Sequence, residues 1–367
     1  MIDFIPQIQP WIDEKELLQL QRVVDSTYVT EHKLTEEFES LIKKLTGAKH
    51  AVAVTNGTVG LFSALKALGI GEGDEVIVPN LTFIASSNAI LMAGAKPVLC
   101  EINDDNFCID AEKIEKLISP ATKAIMPVHL YGQSCNMTAL CSLAKKHNLY
   151  MVEDAAQGVG VKYNSKHVGT FGDVGVLSFY GNKTITCGEG GVILTECDKI
   201  RDEVYSLKNH GRLEKGKFKH EKIGFNFSFT EMQAAIGIAQ LHKLPSVIEI
   251  KNNIHKKYHD SLKHLNDKIT SINLDQNCDP VWWFTSFLTD YKSELKEYLL
   301  KNNIQTRDFF YPLHLQPCYK DHHFADRKFP ISENIYSKGI SLPSSCGLTN
   351  EQQDYIIENI INFFKSK

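Results

Sequence analysis

The residues best suited to chemistry follow three apolar runs that are typical of buried strands. Asn56-Gly57-Thr58 follows AVAVT, Asp154 follows LYMVE, and Lys183 follows VGVLSF inside a segment rich in glycine and small polar residues. Ligands of open α/β sheets bind at the carboxyl ends of the strands. These residues are therefore predicted to meet at one edge of a sheet.

The segment Asn56-Gly57-Thr58 precedes a helical pattern and has the properties of a phosphate-binding site. Glycine lets the backbone approach a ligand closely, and the free N–H groups at a helix start carry partial positive charge. A plain strand-to-helix turn with Thr58 as the N-cap explains the same residues. Both interpretations remain open at this point.

Asp154 and Lys183 place charged side chains at unusual positions, shortly after apolar runs. A carboxylate that ends an apolar strand is costly unless it is paired, so Asp154 is expected either to face a metal, an arginine or a protonated ring nitrogen, or to cap the turn at Ala155. Gln157 lies nearby as a neutral donor. Lys183 stands where an amine can attack a carbonyl and form a Schiff base; a surface lysine in a flexible loop is the alternative.

Together with Ser178, these groups match the needs of one cofactor. Pyridoxal phosphate carries a phosphate, a basic ring nitrogen and an aldehyde, and its usual protein site combines a Lys Schiff base with an Asp at the ring nitrogen. Asp154 would keep that nitrogen protonated, because an opposite charge nearby favours the charged form. The sequence therefore predicts a pyridoxal phosphate site.

The elements that position this site alternate between two periods. Short apolar runs with few polar interruptions, separated by amphipathic helices, predict a mostly parallel sheet covered on both faces. The runs lie at 51–55, 75–79, 97–102, 124–128, 149–153, 174–179 and 191–195, and helical patterns at 58–68, 83–93, 111–118 and 137–147 separate the first five.

The pattern changes from about Glu231, where a strongly apolar helix begins. Pro245 is predicted to interrupt this helix. A polar helical stretch follows to about Leu265. The remaining residues contain one strand-like run at 282–288, a helix near 292–302, an aromatic loop and a final helix from Asn350. We predict a large cofactor-binding α/β domain over residues 1–245 and a smaller C-terminal α+β domain over 246–367.

Composition argues against several classes of protein. The 367 residues include 40 Lys and Arg against 44 Asp and Glu, a net charge of −4, which is not typical of a nucleic-acid binder. We expect no signal peptide and no transmembrane helix, because the chain starts without a basic and apolar leader and has no run of 18 apolar residues. The nine cysteines form no CxxC pair, so reduced thiols in the cytoplasm and no metal site are expected.

The residues of this predicted site lie in segments that resemble the DegT/DnrJ-type pyridoxal phosphate sugar aminotransferases. This family has the fold-type I scaffold, which is similar to that of aspartate aminotransferase. The resemblance runs almost end to end, and SFYGNKTIT is most similar to the perosamine-synthase branch, which aminates GDP-4-keto-6-deoxymannose. The segments that carry it include TNGTVGL at 55–61, GDEVIVPNLTFIAS at 73–86, EDAAQGVG at 153–160, GTFGDVGVLSFYGNKTITCGEGG at 169–191 and GFNFSFTEMQAAIGIAQL at 224–241.

The resemblance implies a role for each residue at the cofactor. Lys183 would hold the cofactor and move the proton, Asp154 would contact the ring nitrogen, and Gln157 would lie beside the phenolic oxygen. Phe83 stands where the family has an aromatic side chain on the ring face. The phosphate ligands within the same chain would be Gly57, Thr58 and Ser178.

The resemblance also implies partners. Asn226 matches a phosphate ligand donated by the partner subunit, so a homodimer with two shared active sites is expected. Tyr311 and His314 lie in a segment that lines the sugar pocket in relatives, with ordinary aromatic packing as the alternative. Glutamate would donate the amine and leave as 2-oxoglutarate, and a nucleotide-linked keto sugar would accept it.

Two departures from the family pattern stand near the site. The family usually has Asn-Tyr-Arg-Met where this chain has Asn226-Phe227-Ser228-Phe229, so an Arg is missing and the substrate end of the resemblance is weakened. Cys187 replaces a usual Thr or Ser, which we interpret as a small-residue exchange.

Several alternative functions remain open at this stage. One is amination of a dTDP- or UDP-linked 3-keto or 4-keto sugar. Another is a family dehydratase, which has His at the lysine position, so that Lys183 argues against it. The third is a non-catalytic regulator.

Overall fold

The computed structural model describes residues 3–214, 216, 218–365 and 367. Its strands are β1 (His50–Val54), β2 (Glu75–Pro79), β3 (Lys96–Cys100), β4 (Thr122–Ile125), β5 (Tyr150–Asp154), β6 (Lys162–Tyr163), β7 (Lys166–His167), β8 (Val174–Ser178), β9 (Gly191–Thr195), β10 (Thr270–Ser271), β11 (Cys278–Asp279), β12 (Thr285–Leu288), β13 (Arg307–Asp308) and β14 (Gly339–Leu342). Its α-helices are α1 (Glu14–Ser26), α2 (Lys33–Thr46), α3 (Gly57–Ala67), α4 (Ala85–Met92), α5 (Ala111–Glu115), α6 (Met137–His147), α7 (Asp198–Lys208), α8 (Glu231–Leu262), α9 (Lys292–Lys301), α10 (Pro330–Lys338) and α11 (Asn350–Lys365).

The seven predicted apolar runs form one sheet in the order β1-β9-β8-β5-β4-β2-β3. Strands β3, β2, β4, β5 and β8 pair in parallel, whereas β9 is antiparallel to both of its neighbours. All five residues of β8 are buried, as expected for a strand with both faces covered. The mostly parallel α/β sheet predicted from the sequence is confirmed.

Helix α8 differs from its prediction. It is one helix of 32 residues with Pro245 inside it, so the predicted interruption is wrong. Leu244 and Val247 are buried on either side of the proline, and tertiary packing overrides the local cost of a proline in a helix. The helix crosses residue 245, where we placed the domain boundary, and that division stays a prediction.

The C-terminal residues form a four-stranded sheet in the order β10-β12-β14-β13. The sequence predicted only the run that contains β12. Residues at the start of the chain contact this C-terminal part: Ile5 forms an isolated bridge with Ile304, and the Gln7 Nε2 donates to the Leu342 carbonyl of β14 at 3.3 Å. Within the described residues, no helix is long and apolar enough to cross a membrane.

Candidate active site

Helix α3 begins directly after β1, and its first residue touches the end of β8. Asn56 is the N-cap, since its Oδ1 accepts a hydrogen bond from the Val59 N–H at 3.1 Å, so the interpretation of Thr58 as the N-cap is wrong. A Cβ added to Gly57 would lie 3.1 Å from the Ser178 Cβ. The absence of a side chain at Gly57 thus leaves the helix start and the Ser178 hydroxyl in direct proximity, which suits an anion such as a phosphate.

We expect Gly57→Ala to weaken pyridoxal phosphate binding about tenfold, because the added methyl group crowds Ser178 and overpacking costs about 1–3 kcal/mol. The dissociation constant, measured by titrating the apoenzyme, checks this. Gly71→Ala is the matched control, since a Cβ there meets nothing closer than 3.6 Å. Equal affinity in the Gly57 variant and the control would contradict the assignment of this helix start to the phosphate.

Asp154 ends β5 and is 5% exposed. Its Oδ2 accepts a hydrogen bond from the Ser86 hydroxyl at 2.7 Å, and its Oδ1 accepts one from the Ala156 N–H at 3.1 Å. Capping of the following turn is therefore part of its role. A carboxylate has about four acceptor sites, so Asp154 retains capacity for a cationic N–H group of a ligand.

Lys183 lies in a loop that is fixed at several points. Its own N–H donates to the Tyr180 carbonyl at 2.9 Å, and further along the loop the Thr186 N–H donates to the Gln240 Oε1 at 3.2 Å. Burial lowers the pKa of Lys183 to about 8, and the charge of Asp154 acts in the opposite direction. This environment differs from that of a surface lysine in a flexible loop, and it makes the neutral amine accessible near physiological pH.

Phe83 precedes this pair in the chain, and Gln157 follows Asp154 by three residues. The Gln157 Oε1 accepts the Tyr131 N–H at 2.6 Å, which leaves the amide nitrogen as the end that can donate to a ligand. Phe83 is 54% exposed, and its carbonyl accepts the Ser86 N–H. Phe83 is therefore linked through Ser86 to Asp154, and about half of its surface is open to solvent.

Asn226 is exposed in the loop before α8. The next residue, Phe227, accepts a hydrogen bond on its carbonyl from the Thr55 N–H at 3.1 Å.

Cys187 is buried, and a Cβ added to Gly237 would lie 2.7 Å from its Sγ. Burial raises the pKa of the Cys187 thiol, which agrees with the interpretation of this residue as a small packing group.

The two predicted sugar-pocket residues differ in accessibility. Tyr311 is 39% exposed and packs edge-on against Tyr336. His314 is 4% exposed, with its Nδ1 at the Asn80 side chain and its Nε2 3.1 Å from the Glu333 Oε1. Burial lowers the pKa of His314, and Glu333 opposes this. With both ring nitrogens engaged, His314 has the contacts of a packing residue, and its role toward substrate stays a prediction.

Sequence reasoning missed two residues of the site. Ser86 holds Asp154 and comes from the start of α4, and Trp283 places its ring over the Lys183 Nζ. Ser86 lies in a resemblance segment but has no spacing signal of its own. Trp283 belongs to a run that we interpreted only as a strand.

The family model for the DegT/DnrJ/EryC1/StrS aminotransferases matches residues 10–361 of the chain. The chain belongs to this family. As a DegT/DnrJ/EryC1/StrS protein it has the fold-type I scaffold and is a pyridoxal phosphate-dependent aminotransferase. These three sequence predictions are confirmed.

Individual relatives match nearly the whole length of the chain. GDP-perosamine synthase of Vibrio cholerae is 39% identical, covering 98% of this chain and 99% of the relative. GDP-perosamine synthase of Escherichia coli O157:H7 is also 39% identical, covering 99% of this chain and 100% of the relative. The solved structure of S. venezuelae DesV in complex with a ketimine intermediate has a TM-score of 0.93 and 32% identity, covering 99% of both chains.

Proposed function

We propose that this aminotransferase moves an amine from glutamate to a 4-keto-6-deoxyhexose linked to GDP. The proposal rests on the action of the Asp154 charge on the buried Lys183 amine and on the proximity of Gly57 to Ser178. It is supported by the full-length similarity to GDP-perosamine synthases. When bound, pyridoxal phosphate supplies an aldehyde and an electron sink.

Each of these residues has a role toward that cofactor. Gly57 and Thr58 at the start of α3 and Ser178 at the end of β8 would hold the phosphate through backbone N–H groups and hydroxyls. Asp154, oriented by Ser86, would pair with the ring nitrogen. Lys183 binds the cofactor and moves a proton at its Nζ, for which a pKa lowered to about 8 is suited.

We further propose a homodimer in which Asn226 of one subunit completes the phosphate site of the other. The exposed position of Asn226 supports this proposal. So do exposed apolar side chains in α1, in the turn after it and in the loop before α8, which a second copy would cover. They are Leu17, Leu18, Val24, Tyr28, Val29, Leu213, Phe218, Ile223 and Phe225.

Shared sites predict complementation between two weak variants. Lys183→Ala and Asn226→Ala subunits, co-expressed with different tags, should form heterodimers in which one site carries both defects and the other carries none. We expect such heterodimers to recover up to about half of the wild-type activity per dimer. Heterodimers without recovery, or a monomer by light scattering, would contradict the shared site.

The proposed location is the cytoplasm, and the proposed use of the amino sugar is a cell-surface polysaccharide such as the lipopolysaccharide O-antigen. All nine cysteines are free, which is typical of a reducing compartment. Deletion of the gene, followed by sugar analysis of the surface polysaccharide, tests this use.

The substrate is tested by incubating the holoenzyme with ¹⁵N-labelled glutamate and a panel of GDP-, dTDP- and UDP-linked keto sugars. We expect mass spectra to show the labelled amine on GDP-4-keto-6-deoxymannose. Preferential labelling of a dTDP- or UDP-linked sugar would overturn the GDP assignment. Loss of the C3 hydroxyl without gain of nitrogen would indicate a dehydratase.

A further inference from the structure

The indole ring of Trp283 lies directly against the amine of Lys183. The Lys183 Nζ is 4.2 Å from the ring centroid, and Trp283 is 3% exposed. At this distance a ring face attracts an ammonium group electrostatically, and Trp is the strongest of the aromatic side chains in this interaction. The contact joins residues that are 100 positions apart in the chain, so the fold and not local sequence brings them together.

Trp283 is held in place by hydrogen bonds at three atoms. Its Nε1 donates to the carbonyl of Asn182, the residue before Lys183, at 2.6 Å. Its backbone N–H donates to the Tyr131 carbonyl at 3.3 Å, and its own carbonyl accepts from the Lys251 Nζ at 2.9 Å. The position of the ring is therefore coupled to the backbone that carries Lys183.

The Lys251 ammonium group that contacts the Trp283 carbonyl is itself buried. Lys251 is 2% exposed, and its Nζ also donates to the Ser344 carbonyl at 2.9 Å. Within the described part of the chain it makes no ion pair with a carboxylate, and burial lowers its pKa to about 8. A buried ammonium group is costly unless it is hydrogen-bonded, and its two carbonyl contacts link the backbone at Trp283 to the backbone at Ser344.

Other aromatic rings limit the rotation of the indole. Phe284 stacks on it with centroids 3.8 Å apart, and Tyr131 and Phe310 lie beyond at 6.4 and 6.2 Å. The charged groups around this cluster include Asp154, which acts on Lys183, Arg307, which lies over Phe284, and Lys251, which contacts the Trp283 carbonyl.

We propose that Trp283 is a positioning residue that holds the free amine of Lys183 on its indole face whenever that amine is not bonded to the cofactor. The proposal rests on the role of Lys183 proposed above. An aminotransferase must release its lysine during each half-reaction and keep the released amine close enough to take or return a proton. A fixed indole face gives this amine one resting position and favours its protonated form.

The test changes the electrostatics of the ring and leaves its shape nearly constant. Mono- and trifluorinated tryptophan are placed at position 283 of the apoenzyme, and the pKa of Lys183 is measured from the pH dependence of acetylation followed by peptide mass spectrometry. Because fluorine withdraws charge from the ring face, we expect the pKa of Lys183 to fall in steps, by about half a pH unit in total. Trifluorinated tryptophan at position 282 is the control, since Trp282 stacks on His255 instead, and no change is expected there.

The two outcomes are distinct. An unchanged pKa of Lys183 on fluorination of Trp283, or an equal change on fluorination of Trp282, would overturn the proposal. The apoenzyme is measured without substrate, so such a failure leaves the aminotransferase activity itself untouched. Conversely, a failure of Lys183 to bind the cofactor would appear in cofactor-trapping experiments and not in this titration.

Discussion

Replacing Lys183 with alanine is expected to lower the rate of transamination by about 10⁴-fold. The variant loses both the group that binds the cofactor covalently and the base that moves the proton, and general acid–base catalysis alone contributes about 10²–10⁴-fold. The measurement is the single-turnover reaction with glutamate, together with the visible absorption of the protein after dialysis. The bound cofactor is expected to make the wild-type protein yellow, and we expect this colour to be lost with the activity.

Lys162→Ala is the matched control for this prediction, because Lys162 is an exposed lysine in β6. It should keep the wild-type rate and colour. A Lys183→Ala enzyme that transaminates normally would show that another group performs the proton transfer.

Asp154→Asn is expected to slow the glutamate half-reaction about 10²-fold and to change cofactor affinity much less. The amide retains an oxygen for the Ser86 or the Ala156 contact but has no negative charge. An opposite charge nearby raises the pKa of a cationic group by about 1–3 units, so the ring nitrogen loses its proton more readily in the variant.

Stopped-flow kinetics and a cofactor titration separate the two effects of Asp154→Asn. Asp279→Asn, at an exposed position of β11, controls for a general change in surface charge. A wild-type half-reaction rate in Asp154→Asn would reduce Asp154 to a residue that caps the turn.

The position of the site was predictable because it depends on where strands end. Asp154 and Ser178 end apolar runs, and Gly57 opens the helix after a third run, so their meeting at one sheet edge follows from the α/β pattern. The structure places Gly57 against Ser178 and lets the charge of Asp154 act on Lys183.

The contacts between distant residues were not predictable from the pattern. Period and run length indicate which face of a strand is buried, but they do not indicate that Ser86 donates to Asp154 or that Trp283 covers Lys183. These contacts depend on how α4 and the segment before β12 pack on the large sheet. Tertiary packing likewise carries α8 through Pro245, where local propensity predicted a break.

The short C-terminal strands were missed for a different reason. Strands β10 and β13 have two residues each, which is too short for an alternating pattern to be recognised. Strand β10 pairs with β12 and β13 pairs with β14, so both depend on strands that are distant in sequence. These residues are strands only because they pair with neighbouring strands in the folded sheet.

The covalent attachment of the cofactor to Lys183 is the central claim, and borohydride reduction of the holoenzyme followed by peptide mass spectrometry tests it most directly. Reduction makes the bond between the lysine amine and the cofactor permanent. We predict that one peptide, the one that contains Lys183, gains the mass of the reduced pyridoxyl phosphate group. Modification of a different lysine as the main product, or a fully active holoenzyme with no modified peptide, would contradict the assignment.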